Sequence, residues 1–171
     1  RAAARAILSE KAMTKKYPVT PAVRFLRSHN IDFEPLLYDY EEHGGTAQGA
    51  AVFGPDEHAV IKTLVLQDDQ HQGLLVLMHG DRQVSPRQLA RAIGAKHVDM
   101  APAAAAQKWT GYLFGGTSPF GTKAALPVYA ESTVLTLPEL YINGGKRGFF
   151  VRIAGAALAV LQPTAVSVAV D

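Results

Sequence analysis

Two apolar runs, "AVIKTLVLQ" and "GLLVLMH", stand on either side of the polar segment "DDQHQ". Both are rich in Val, Leu and Ile, and the spacer suits a β-hairpin loop of five residues or a little more. In the first run Ile61, Thr63 and Val65 share one face, and Lys62, Leu64 and Leu66 share the other. A strand that is apolar on both faces is buried on both. The hairpin is therefore predicted to lie inside a sheet that is covered on two sides. That requirement demands a core of some size. The chain supplies it, with 171 residues of which 48% are hydrophobic, enough for a single domain.

The same run raises the first functional question. Lys62 sits where a buried face would place an ammonium group among Leu64 and Leu66. Such a lysine either snorkels outward along its own stem or reaches an anion or ligand in a pocket. Both readings fit the alternation alone.

Helix signals surround the hairpin. Thr20-Pro21 is a cap followed by a proline at the first helical position, and the helix is expected to stop near Asn30. Ser85-Pro86 repeats the pattern ahead of "RQLARAIG", which closes at Gly94. "HGGTAQGAAVFG" predicts a helix capped by Thr46 and ended by Gly54, and "APAAAAQKWTG" a helix ending near Gly111. "IDFEPLLYDY", "KHVDM", "KAALPVYA", "ELYIN" and "RGFFVRI" are extended segments, "AGAALAVLQ" is a closing helix, and "TAVSVAV" is a last strand or tail. Helices and strands interleave without a regular βαβ rhythm. The fold class expected is α+β, a mixed sheet with helices around it, rather than a doubly wound sheet.

Composition removes several chemistries. The chain has no cysteine, which excludes disulfides, thiolate metal sites and a cysteine nucleophile. None of the six histidines falls in a metal-ligand spacing, so no metal and no cofactor are expected. Ser118 precedes a proline and lacks the GxSxG elbow of a serine hydrolase. The net charge of +2 allows an anionic partner, but a dedicated duplex-DNA binder would carry a denser Lys/Arg patch. No apolar run approaches the ~20 residues of a membrane span, and a cytoplasmic protein is the expectation. Residues 1–12, "RAAARAILSEKA", read as an N-terminal extension ahead of Met13, with one domain over 13–171.

Two glycine-rich loops remain. In "GYLFGGTSPFGTK", Gly115 and Gly116 leave peptide N–H groups uncovered. The loop is either an anion-binding concavity, an oxyanion hole, or a turn-rich connection. Tyr112 and Phe114 are expected to anchor it to the core, with Ser118-Pro119 fixing its exit. In "NGGKRG", Asn143-Gly144 signals a hairpin turn, while Lys146 and Arg147 beside bare backbone suit phosphate contact. Tyr38 and Tyr40 alternate onto one face of an extended segment and form either core or pocket wall.

"IKTLVL", "GAKHVDMAP", "TGYLFGGTSPFGTK" and "YINGGKRG", in this order and at these separations, resemble the YbaK/EbsC family of trans-editing proteins. That family is related to the editing domain of bacterial prolyl-tRNA synthetases. The likeness covers residues 20–161 and is strongest to the YbaK branch, the Cys-tRNA(Pro) deacylases. The resemblance implies a partly closed mixed sheet and a cleft that receives the 3′ aminoacyl-adenosine end of a misacylated tRNA. It implies a prolyl-tRNA synthetase partner and a catalytic pair, Lys62 and Gly115. Tyr40, Gly116, Ser118, Asn143, Gly144, Lys146 and Arg147 would bind substrate. It further implies that the thiol of the misattached cysteine attacks its own ester, with backbone stabilisation of the oxyanion.

Two departures stand out. Asn143 replaces a serine, and Phe150 stands where an acidic residue occurs in the family. Water-based hydrolysis of Ala-tRNA(Pro) or another small misacylated tRNA is the alternative reaction. A non-catalytic tRNA- or nucleotide-binding regulator is the alternative class.

Overall fold

The computed structural model describes residues 16–171, so the expected extension at 1–12 lies outside the described residues. The two apolar runs form strands β2 (Val60–Asp68) and β3 (Gly73–His79), paired antiparallel from Ile61↔His79 to Gln67↔Gly73. Side-chain alternation splits this hairpin between two cores. Ile61, Val65, Leu75 and Leu77 pack into one, and Leu66, Leu74, Val76 and Met78 into the other. The expectation of burial on both faces is met, and the hairpin is the shared wall of the molecule.

The larger core is closed by helix α1 (Pro21–Ser28), which buries Ala22, Val23 and Leu26. The Thr20 side chain accepts from Val23 N–H, and Pro21 opens the helix as the sequence predicts. The smaller core is closed by α3 (Pro86–Ile93), capped by Ser85 and ended by Gly94 in the left-handed conformation. Between them in sequence lies α2 (Gly45–Phe53); after α3 comes α4 (Ala103–Thr110), ended by Gly111. Thr46 does not cap α2. Its hydroxyl instead donates to Glu57 Oε1 at 2.8 Å, and Gly44 takes the cap position without a side-chain bond.

The other strands are β1 (Glu34–Leu37), β4 (Gln83–Val84), β5 (Val98–Met100), β6 (Val128–Glu131), β7 (Glu139–Lys146), β8 (Phe149–Ala154), β9 (Thr164–Val166) and β10 (Ala169–Val170). The main sheet runs β1-β8-β7-β2-β3-β6-β9, with β5 also paired to β2, while β10 pairs β4 apart from it. Pairing is mixed: β2–β3 and β7–β8 are antiparallel, β2–β7 and β3–β6 parallel. The mixed sheet with surrounding helices is as expected, but the sheet is not closed, because β1 and β9 end the path without pairing to each other. "AGAALAVLQ" forms a 3₁₀ segment, Gly155–Leu161, in place of the expected α-helix. No helix among the described residues is long and apolar enough to cross a membrane.

One feature of pairing positions the site. β7 meets β2 only at Val60↔Tyr141 and Ile61↔Ile142. On the same side, β5 takes over at Leu66↔Met100. Between these contacts the edge of β2 at Lys62, Thr63 and Leu64 faces a gap, not a strand.

Tyr112 anchors the loop that follows α4. Its ring is 4% exposed, and its hydroxyl donates to the Phe120 carbonyl at 2.5 Å. Tyr112→Phe strands that buried carbonyl and is expected to destabilise the fold by about 1–3 kcal/mol in denaturant melts. An unchanged unfolding midpoint would remove Tyr112 from this role.

Candidate functional site

The gap along β2 opens into a cleft of ≈ 440 Å³. Lys62, Thr63 and Leu64 form its floor, Tyr38 and Tyr40 one wall, and Gly115 and Asn143 its far side. Tyr38 and Tyr40 are thus pocket wall rather than core. Four residues named from the sequence, Lys62, Gly115, Tyr40 and Asn143, meet in this one space.

Lys62 is half-buried, and burial pushes its ammonium pKa down, with the Glu57 and Asp81 carboxylates pulling partly back. Its place in the cleft lining agrees with the pocket reading of this lysine. Burial likewise raises the Tyr38 phenol.

The glycine loop is a tight turn. Gly116 N–H donates to the Leu113 carbonyl at 2.9 Å, and Gly115 has φ +82° while Phe114 keeps a negative φ. This is type II geometry, which demands positive φ at its third residue and so selects glycine. A Cβ at Gly115 would also stand 2.7 Å from Tyr40 Oη. Arg147 Nε donates to the Phe114 carbonyl at 2.7 Å. The peptide between Phe114 and Gly115 is trans, so the Gly115 N–H points away from Arg147. That N–H has no partner among the described residues, whereas the Gly116 N–H is spent on closing the turn.

Asn143 ties the loops together. Its Nδ2 donates to the Gly115 carbonyl at 3.1 Å, and its Oδ1 accepts from Gly145 N–H at 2.7 Å and Lys146 N–H at 3.2 Å. Asn143-Gly144 is not the expected hairpin tip. β7 continues to Lys146 with a bulge between Asn143 and Lys146, and the turn falls at Arg147 and Gly148.

The remaining residues named from the sequence lie around this frame and not on the cleft lining. Gly116 is buried, and a Cβ there would stand 2.9 Å from Arg147 N, so the two loops touch backbone to backbone. Ser118 is fully buried and accepts from Phe120 N–H at 3.1 Å; Thr117 lines the cleft in its stead. Gly144 packs under the Phe149 ring, and its carbonyl accepts from Thr20 Oγ1. Lys146 and Arg147 are exposed, the latter 5.5 Å above the Tyr40 ring.

The structure also brings to the cleft residues to which the sequence assigned no role in the site. Thr63 Oγ1 is buried at the cleft floor with no hydrogen-bond partner among the described residues. Phe150 lines the cleft, stacks on Tyr38 at 5.4 Å and meets Phe53 edge-on, making an aromatic wall. Phe114, expected to be an anchor, is 75% exposed at the cleft margin. A turn corner directs its side chain outward, and periodicity carries no signal for that.

His58, His79 and Asp81 bring three ligand-type atoms within 4.8 Å of one another. Both His79 nitrogens already bond, to the His58 carbonyl at 2.6 Å and Thr133 Oγ1 at 2.7 Å, and His58 Nδ1 meets Asp81 at 2.8 Å. The two rings stack 3.5 Å apart. Parallel rings aim their in-plane lone pairs alongside each other, so this is a structural hydrogen-bond cluster in its present geometry.

Residues 41–161 match the family described as the aminoacyl-tRNA editing domain. Over 148 residues the chain is 26% identical to a protein of Enterococcus faecalis provisionally named Cys-tRNA(Pro)/Cys-tRNA(Cys) deacylase EbsC. The match spans 86% of this chain and 90% of that one. A proline–tRNA ligase of Brachyspira hyodysenteriae is 22% identical over 94 residues, 55% of this chain and 16% of the ligase. A crystal structure provisionally described as a trans-editing enzyme for prolyl-tRNA synthetase superposes with a TM-score of 0.77. It is 20% identical and covers 90% of this chain and 100% of that one, a likeness of fold.

Two stability measurements check the electrostatics. Lys62→Met removes a charge that burial disfavours and is expected to leave Tm equal or raise it; a clear drop would mean that Lys62 is held by a stabilising partner. For His79, burial lowers the pKa below its ordinary value, so the folded chain binds fewer protons than the unfolded one. The resulting stability is present above the unfolded pKa of about 6.5 and is lost as pH falls below it. Tm should therefore fall between pH 7 and 5, and less steeply in His79→Gln; equal slopes would exclude His79 as the source.

Proposed function

The chain belongs to the aminoacyl-tRNA editing domain family, and from that premise we propose that it is a trans-acting deacylase that clears Cys-tRNA(Pro). The observation that supports this most is the meeting of Lys62, Gly115 and Asn143 on one cleft, with no cysteine in the chain to act as nucleophile. A site so equipped can orient an ester and stabilise an oxyanion. The nucleophile then comes from the substrate.

In this reading the thiol sulfur of the esterified cysteine attacks its own carbonyl carbon. A C–S bond forms, the C–O bond to the terminal ribose breaks, and the ribose oxygen takes up the proton released by the thiol. The products are a β-thiolactone and free tRNA. The Gly115 N–H donates to the carbonyl oxygen as it becomes an oxyanion. Lys62 holds the sugar-phosphate or the aminoacyl end, and Tyr40 and Asn143 fix the surrounding wall. Gly116, Ser118 and Gly144 act as supports of the two loops, and Lys146 and Arg147 meet the tRNA backbone. No metal or cofactor takes part. Prolyl-tRNA synthetase, a supplier of the mischarged tRNA, is the proposed partner, and the cytoplasm the proposed location.

The aromatic wall of Tyr38 and Phe150, backed by Phe53, favours an uncharged side chain and offers no carboxylate. It keeps a second reading in view: hydrolysis of Ala-tRNA(Pro) by a bound water. A panel of Cys-, Ser-, Ala- and Pro-tRNA(Pro), with and without the synthetase, separates the two. Self-cyclisation predicts rapid loss of Cys-tRNA(Pro) and loss of Ser-tRNA(Pro) slower by about a hundredfold, because a hydroxyl is a far weaker nucleophile than a thiol. Comparable rates for alanine and cysteine would establish the water route instead. Lys62→Ala should abolish turnover with the fold intact. Gly115→Ala, which must shift the turn, should lower kcat by about a hundredfold. No turnover of any member at catalytic protein levels would leave only a binding role.

A further inference from the structure

Tyr112 and Phe114 lie two residues apart on one loop, yet the first is 4% exposed and the second 75%. Single exposed apolar side chains are ordinary on protein surfaces. Phe114 differs in three respects. It is one of the residues that line the cleft. It sits at the outer corner of a turn whose backbone is braced twice, by Gly116 N–H on the Leu113 carbonyl at 2.9 Å and by Arg147 Nε on its own carbonyl at 2.7 Å. Finally, the strand turn that braces it carries two exposed cations, Lys146 and Arg147, which touch the loop through the Gly116 backbone.

A rigidly presented aromatic face beside paired cations fits one chemistry in particular. Unpaired nucleotides bind by stacking a base on an aromatic ring while their phosphates meet Lys and Arg. A duplex presents no free base face, and an acidic peptide has no use for the ring. We propose that Phe114 is the stacking platform for the unpaired 3′-terminal base of the RNA whose aminoacyl ester enters the cleft, with Lys146 and Arg147 meeting the adjoining phosphates. This rests on the deacylase reading above and adds to it the means by which the acceptor end is held. Stacking recognises the presence of a base more than its identity, so terminal-base substitution should matter little and base removal a great deal.

Two substrates test this: aminoacyl-tRNA, and an aminoacyl ester of the same sugar-phosphate end with the terminal base absent. In the wild type the base-bearing substrate should have the lower KM. Phe114→Ala should raise that KM by about five- to a hundredfold with kcat nearly constant, bringing the two substrates together. Phe114→Trp should restore the difference, and near-UV circular dichroism checks that both variants are folded. A wild-type difference that survives in Phe114→Ala would overturn the proposal.

Binding supplies a readout independent of turnover. Trp109 is the chain's single tryptophan, so the added indole of Phe114→Trp gives a separable signal. Its fluorescence should be quenched saturably by the trinucleotide CCA and not by CC ending in an abasic ribose. Equal response to both, or to neither, would refute base stacking. If the wild type deacylates nothing, the enzymatic reading fails while this titration still decides the role of Phe114.

Discussion

Strand β2 offers one edge to two partners, and neither covers all of it. β7 pairs only with its first residues and β5 only with its last. The interval between them, Lys62 to Leu64, would be a liability in an ordinary sheet, because unpaired strand edges invite association. Here α2, the Tyr38–Tyr40 segment and the Gly115 turn stand around the opening and leave a bounded cleft. The site is therefore not an addition to the sheet. It is the place where the sheet divides, floored by a strand whose other edge is fixed along its length by β3.

Such a gap keeps its shape only if its far side is held, and that task falls first to an uncharged amide. Asn143 receives two N–H donors from its own bulge and gives one to Gly115, so a single amide sets both loops at once. An amide can do this because it carries donors and an acceptor on one planar group. A serine hydroxyl has the same one-donor, two-acceptor count but concentrates it on a single atom of a shorter side chain, so all three partners would have to converge on that atom. Arg147 supplies a second tie through Phe114, and its cation–π contact with Tyr40 couples the wall to the turn. The contact adds about 0.5–1 kcal/mol at an exposed site. The loops are thus oriented by directional bonds rather than by depth in a core.

What the sequence made legible follows the range of each signal. The β2–β3 hairpin, the Pro-started helices and the glycine ends of α2, α3 and α4 are local patterns, and all appear. Lys62 was conspicuous for the same reason: alternation of period two assigns a charge to an apolar face without any knowledge of the fold. Long-range features were not accessible in that way. The open ends of the sheet depend on which strands meet, and motif resemblance suggested more closure than exists. Asn143-Gly144 carries a hairpin signal, yet the register with β8 turns it into a bulge. Phe114 and Tyr112 are both large and aromatic, and only the turn type tells which ring is buried. The orphan Thr63 hydroxyl is invisible in sequence, since an unpaired group is defined by what surrounds it.

The composition of the cleft bears on how so few polar groups could act on an ester. Phe150 and Tyr38 make one wall apolar, and the same burial that pushes Lys62 down also strengthens any interaction its ammonium makes with an entering anion. An oriented N–H at Gly115 gains likewise, because a fixed donor needs no reorganisation as charge develops. The stability given up by holding a half-buried lysine and an unpaired threonine hydroxyl is then the counterpart of a site organised before its substrate arrives. Under that view the exposed loop surface and the buried cleft divide the work. In the proposed reading, aromatic and cationic groups outside engage the nucleotide, and a small set of fixed dipoles inside meets the reacting ester. The type II turn at Gly115 joins the two, since Phe114 and the Gly115 N–H lie at either end of one peptide.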